Sequence, residues 1–267
     1  MHAISIVQDV LRKGCPHIHA ARLKALLLGT EAALHASSLT LSNLARALGG
    51  QSAVRHRVKR IDRMLGSRAL QQACASVYRA MAQHWLHGND TALIVVDWSD
   101  VNESRSAQMI RASVALVGRS LTLYEEVHSM KAATTPQVHQ AFLARLKTML
   151  PSGCQPIVIT DAGFRSPWFR AVEAQGGHWV GRSRNRDLVR EHGTPFAQWH
   201  GCKSLYANAN AKANRSALDL GLFDCVRNRP HLHRLVLIKK LEIHTSLRLV
   251  PRWTRLALYF YLQFRYA

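Results

Sequence analysis

A chain of 267 residues with 48% apolar residues is long enough to bury a sizeable core and too apolar to be disordered. Its 36 Lys+Arg against 16 Asp+Glu give a formal charge of +20, which suits a polyanionic partner because every neutralised phosphate releases condensed counterions. No stretch approaches the roughly 20 apolar residues that span a bilayer. The N-terminus lacks the apolar core of a signal peptide. The five cysteines form no CxxC pair and no Cys/His spacing typical of zinc. The expectation is a cytoplasmic protein with reduced thiols and no membrane contact.

Residues 1–88 read as a helical domain. Leu23, Leu26, Leu27 and Leu34 recur near a 3.6-residue period, and Leu41, Leu44 and Leu48 repeat the pattern. Gly49-Gly50-Gln51 is a turn signal. Ser52 is placed to cap a helix whose Val54, Val58, Ile61 and Leu65 form one stripe. The other face carries Arg55, His56, Arg57, Lys59, Arg60 and Arg63. Two short helices joined by a glycine turn, the second strongly basic, resemble a helix-turn-helix, so Arg55, Arg57, Lys59, Arg60 and Arg63 are the expected DNA contacts.

From Thr91 strands and helices alternate. "LIVVD" (93–97) is a continuous apolar run ending in Asp97, as expected of a strand covered on both faces. "MIRASVALVG" and "RSLTLYEEVHS" read as two further strands. Thr135 can cap, and Pro136 begin, a helix with Val138, Phe142, Leu146 and Met149 on one face, which leaves His139 as a surface residue. "CQPIVITD" is a strand ending in Asp161, "SPWFRAVEAQGG" a helix closed by glycine, and "HWVGRSR" a last strand. This order is that of an α/β ribonuclease H-like core with a mixed sheet, assigned to residues 89–185. Residues 186–240 read as a partial β insertion, with two strands around Asn228-Arg229-Pro230. The stretch 241–267 changes character, with no lysine or glycine and 6 of the 19 aromatics, and reads as an aberrant tail.

Two aspartates at the ends of neighbouring strands repel unless a cation lies between them. Mg²⁺, with Mn²⁺ as a substitute, suits such a pair, since it binds through one or two carboxylates plus substrate phosphate. Paired metals support in-line displacement at phosphorus. Charge distribution agrees: residues 91–160 carry 6 basic and 5 acidic residues, whereas 1–90 carry 12 and 4, and 161–267 carry 18 and 7. Arg182 and Arg184, after the last core strand, are further candidate phosphate contacts.

The stretches "IVVDWSDV", "IRASVALVGRSLTLYEEVH", "VITDAGFRSPWFRAVEAQG" and "WVGRSRNRD" resemble the catalytic domain of DDE transposases of bacterial insertion sequences, family 4, over residues 20 to 240. The resemblance implies that Asp97 and Asp161 are the first two catalytic, metal-binding carboxylates. It implies double-stranded DNA partners (transposon ends and target), a homodimer in the synaptic complex, and a nucleoid-associated enzyme of cut-and-paste DNA recombination. The family's third carboxylate lies in a Tyr-x2-Arg-x3-Glu-x6-Lys motif, and that spacing is absent from this sequence. The acids after Asp161 are Glu173, Asp187, Glu191, Asp219, Asp224 and Glu242, none of them in the motif. The expectation is therefore a transposase with impaired chemistry whose family-like chain stops near Lys240. The alternatives are a non-catalytic remnant that occupies transposon ends, and a standalone nuclease or resolvase.

Overall fold

The computed structural model describes residues 2–116, 119–184, 186–209 and 217–237. The expected tail, 241–267, lies outside the described residues, as do 238–240 of the expected insertion. The chain divides into two compact units. The first holds residues up to Asp90 together with Thr122–Glu125 and Ala144–Cys154; the second holds Thr91–Leu121, Glu126–Leu143 and the described residues from Gln155 onward.

The first unit is built on five helices: α1 (His2–Gly14), α2 (Ala20–His35), α3 (Leu41–Ala47), α4 (Val54–Leu65) and α5 (Arg68–Trp85). Leu11, Cys15, Leu23, Leu27, Ala73 and Ala80 join α1, α2 and α5 in one core. Ala32, Leu44, Leu48 and Ile61 join α2, α3 and α4 in another. The expected stripes are only partly buried. Leu34 and Leu65 are 63% and 52% exposed, because α3 and α4 pack on the Leu28/Ala32 side of α2 and leave the helix ends uncovered. Thr40 caps α3 by accepting from Asn43 N–H. The expected cap at Ser52 is not formed: Ala53 is the N-cap residue of α4, without a side-chain bond, since the chain turns helical one residue too late for Ser52 to reach the free N–H groups.

The second unit is α/β. Strands β1 (Thr91–Asp100), β2 (Ala107–Leu116), β3 (Arg119–Ser129), β4 (Gln155–Thr160) and β5 (His178–Gly181) form one sheet in the order β3-β2-β1-β4-β5. β1 pairs antiparallel with β2 and parallel with β4, and β4 pairs parallel with β5, so the sheet is mixed. Helix α6 (Pro136–Met149) leads from β3 to β4, and α7 (Ser166–Ala174) from β4 to β5. The expected two-sided burial of β1 is not observed. Ala92, Ile94 and Val96 are buried while Leu93 is 47% exposed, so one face lies in the core and the face bearing Asp97 is partly open.

Strands β6 (Leu188–Glu191), β7 (His200–Gly201), β8 (Leu218–Cys225) and β9 (His231–Leu237) form a second sheet in the order β7-β6-β8-β9, with the short helix α8 (Ser204–Ala209) after β7. Val189, Phe223, Cys225 and Leu235 are its core. The β8–β9 pair is the hairpin expected around Asn228-Arg229-Pro230. Its turn is tied to α7, where the Arg170 guanidinium donates to the carbonyls of Arg229 and Pro230.

Candidate active site

Asp97 and Asp161 are delivered by parallel neighbours in register. Val96 pairs with Thr160, and each aspartate is the next residue along its chain. Neighbouring strands lie about 4.8 Å apart, and paired residues of a parallel ladder point to the same face. Asp97 therefore sits in β1 at the point where its pairing with β4 ends, and Asp161 just past the carboxyl end of β4, near enough for its charge to act on Asp97. Ligands of open α/β sheets gather at such strand ends.

The local geometry differs between the two. Asp97 is half-buried within β1, and its Oδ1 accepts the Trp98 backbone N–H at 2.9 Å. Asp161 is exposed just past β4, and its Oδ1 accepts the Gly163 N–H at 2.7 Å, closing a tight turn. A Cβ at position 163 would sit 2.8 Å from that oxygen, so a side chain there would displace the Asp161 carboxylate from this position. Neither carboxylate has an ion-pair partner among the described residues. Burial pushes the Asp97 carboxyl up to about 6; the Asp161 charge adds to the shift and the Trp98 N–H opposes part of it.

Two oxygen-donor carboxylates on rigid neighbouring strands fit one hard divalent cation, which completes its shell with water and substrate phosphate. Among the described residues no group of three or more His, Cys, Asp or Glu side chains could hold a metal ion. The donor set at this site is therefore the two carboxylates alone among the described residues.

Beneath this site, on the core face of β1, lies an aromatic cluster. The Trp98 indole donates to His139 Nε2 at 3.3 Å, and the His139 ring packs against Phe164 and Trp168 with centroids 5.4 and 5.0 Å away. His139 is 8% exposed, which overturns its expected place on the surface: it shares a face of α6 with Phe142, Leu143 and Leu146, all buried. Burial lowers its pKa to about 4, so the imidazole is neutral at pH 7.

The expected DNA contacts divide by environment. Arg55, Lys59, Arg60 and Arg63 are exposed on α4. Arg57 is half-buried and donates to the Leu48 carbonyl at the end of α3, so it braces the α3–α4 connection. Arg182 is exposed. Arg184 is half-buried, its Nε donating to the Ala162 carbonyl at 2.7 Å and its backbone N–H to Asp187, which ties the segment after β5 to the turn that carries Asp161.

Two further positions were not singled out from sequence. Arg111 on β2 stands opposite Asp97 in the antiparallel register. No sequence signal identifies it, because the register depends on where the 101–106 connection reverses the chain. Arg22 on α2 borders, with Arg60 and Arg63, a pocket of about 290 Å³ floored by Leu28, Ile61 and Met64.

No family model, no curated protein and no solved structure matches the chain.

Proposed function

We propose that this chain is a transposase of the DDE type, with a ribonuclease H-like core, that binds the terminal inverted repeats of an insertion sequence. The observation that carries the reading is that Asp97 and Asp161 each follow the last paired residues of β1 and β4, Val96 and Thr160, with the Asp161 charge acting on Asp97. The sheet order β3-β2-β1-β4-β5, with β1–β2 antiparallel and β4 and β5 parallel to β1, supports the ribonuclease H-like assignment. The excess of basic residues and the exposed cations of α4 support double-stranded DNA as partner.

Asp97 and Asp161 are the residues that would hold Mg²⁺ or Mn²⁺. When bound, the ion supplies charge neutralisation at the scissile phosphate and a more acidic nucleophile. The protein's own part is to orient the two carboxylates on strands and to grip the DNA backbone through Arg55, Lys59, Arg60 and Arg63, with Arg182 near the strand ends. In the assembly the reading implies, two copies bring two transposon ends together in the nucleoid-associated compartment of a bacterial cytoplasm.

A second reading, a DNA-binding remnant that occupies transposon ends without cutting, is favoured by the two-carboxylate donor set among the described residues, since the second ion of a two-metal site lacks a third anchor there. The test is incubation of the purified full chain with DNA bearing the element's ends and Mn²⁺. The transposase reading predicts end-specific binding and slow nicking that Asp97→Ala abolishes; equal nicking by Asp97→Ala overturns it. End-specific binding with no nicking selects the remnant. Binding without preference for the ends contradicts both.

A further inference from the structure

We propose that His139 is a positioning residue for Asp97, acting through Trp98. The inference rests on the reading that Asp97 and Asp161 hold a divalent cation, and adds a residue on a different element to that site. An indole N–H can only donate, so the 3.3 Å contact between Trp98 Nε1 and His139 Nε2 fixes the histidine tautomer, with Nε2 as the bare acceptor and the proton on Nδ1.

The Trp98 side chain lies on the core face of β1 and Asp97 on the other, yet one peptide unit joins them. Holding the indole from below holds the Trp98 backbone N–H, which donates to Asp97 Oδ1 at 2.9 Å on the open face. The chain of contacts runs from α6 through the strand to the carboxylate. A ligand oxygen must sit within a few tenths of an ångström of its ideal place around a small divalent ion, so a donor that locks the carboxylate rotamer bears on affinity.

Packing alone does not call for histidine here. Phe142, Phe164 and Trp168 already fill this region with apolar rings, and a phenylalanine at 139 would suit the same cavity. What histidine adds is one acceptor nitrogen. Two indoles adjoin the ring, and the acceptor is given to Trp98, while the Trp168 Nε1, edge-on at 5.0 Å, is buried without a hydrogen-bond partner. The half-buried indole beneath the carboxylate is satisfied and the fully buried one is not.

The test is Mn²⁺ affinity of the full-length protein, read by titration calorimetry and by the electron paramagnetic resonance spectrum of bound Mn²⁺. His139→Phe and Trp98→Phe are each expected to weaken Mn²⁺ roughly tenfold and to broaden the bound-ion spectrum, at the low end of what removal of a supporting contact costs a metal site. The double variant is expected to be no weaker than either single, and His139→Gln, which keeps an acceptor, to recover most of the loss. Unchanged affinity in both Phe variants, with Asp97→Asn abolishing binding, overturns the positioning role and leaves the cation reading standing. Additive losses in the double variant overturn it as well. Wild-type Mn²⁺ affinity in Asp97→Asn removes the cation reading and the inference together. If His139→Phe fails to fold, Trp98→Phe and His139→Gln decide the matter by the same criteria.

Discussion

Asp97 carries the opposite linkage from an ordinary surface carboxylate. Its folded pKa is raised to about 6, by burial first and by the Asp161 charge second, so the folded state binds a proton more tightly than the unfolded chain does. Between about pH 4 and 6 this group's contribution to stability therefore falls as pH rises, and the full penalty is present above 6. Asp97→Asn is expected to stabilise the metal-free protein at pH 8 by on the order of 1 kcal/mol, discounted for the solvent that screens a half-buried group, with the gain vanishing near pH 4. Thermal melts of both proteins across that range check it. Divalent cation should reverse the order by raising the melting temperature of the wild type alone.

The arginines show how far residue type alone can be trusted. Arg57 and Lys59 are two positions apart on one basic helix and look alike in sequence, yet Arg57 turns inward to the Leu48 carbonyl while Lys59 stays in solvent. Arg57→Ala is expected to lower stability by about 1–3 kcal/mol, since it strips a charged donor from a half-buried carbonyl. Lys59→Ala should leave stability within about 0.5 kcal/mol and weaken DNA binding instead. Denaturant titration paired with a DNA-binding titration separates the two roles. Arg184 belongs with Arg57, because its Nε is engaged by the Ala162 carbonyl.

At the scale of elements, periodicity and turn chemistry locate most of the described structure. Thr135 and Pro136 open α6 as their capping chemistry requires, and Gly176, at φ 77°, follows the C-cap of α7. Periodicity did not say which side of a helix meets its neighbour, and that explains the exposed Leu34 and the buried His139. An apolar run such as 93–96 was equally silent on whether both faces of its strand are covered. Close contacts between elements were also illegible in sequence, because they depend on tertiary placement. A Cβ at Gly181 on β5 would overlap the Phe169 ring of α7, which itself stacks on Trp179 with centroids 4.1 Å apart. Gly181→Ala is therefore expected to cost about 1–3 kcal/mol through displacement of that ring, measurable by denaturant unfolding. Gly176→Ala, with open space around it, should show only the backbone strain of a positive φ.

For the whole molecule, acid stability is governed by groups of opposite sign. His139 and His233 both have pKa values lowered to about 4, in each case by burial first. The unfolded chain takes up protons at these positions near 6.5, so the stability they supply is lost as pH falls from about 6.5 through 4. Asp97 works against that loss in the lower part of the same window. The prediction is a net fall in melting temperature from pH 7 to pH 4, shallower in His233→Phe and steeper in Asp97→Asn. His233 lies in a cluster that fastens β9 to α7, where His231 bonds Glu173 at 3.0 Å and His233 at 2.8 Å.

The charge of +20 sets the expected mode of association. Affinity for DNA should fall linearly with the logarithm of salt concentration, with a slope of about −0.9 per phosphate neutralised, and the slope should become shallower by about one contact in Lys59→Ala. The neighbouring placement of Asp97 and Asp161 was legible because an apolar run leading into a carboxylate is a local pattern that occurs twice, although β1 continues past Asp97 to Asp100 rather than ending there. The residues that neighbour this pair from other elements, His139 against Trp98, Arg111 opposite Asp97 in the register and Arg184 on the Ala162 carbonyl, were not, since their placement depends on tertiary packing.

The most direct measurement is calorimetric titration of the metal-free protein with Mn²⁺. Binding of one ion per chain by the wild type, lost in both Asp97→Asn and Asp161→Asn while their folds persist, is the predicted result. Equal Mn²⁺ affinity in all three proteins would contradict the account.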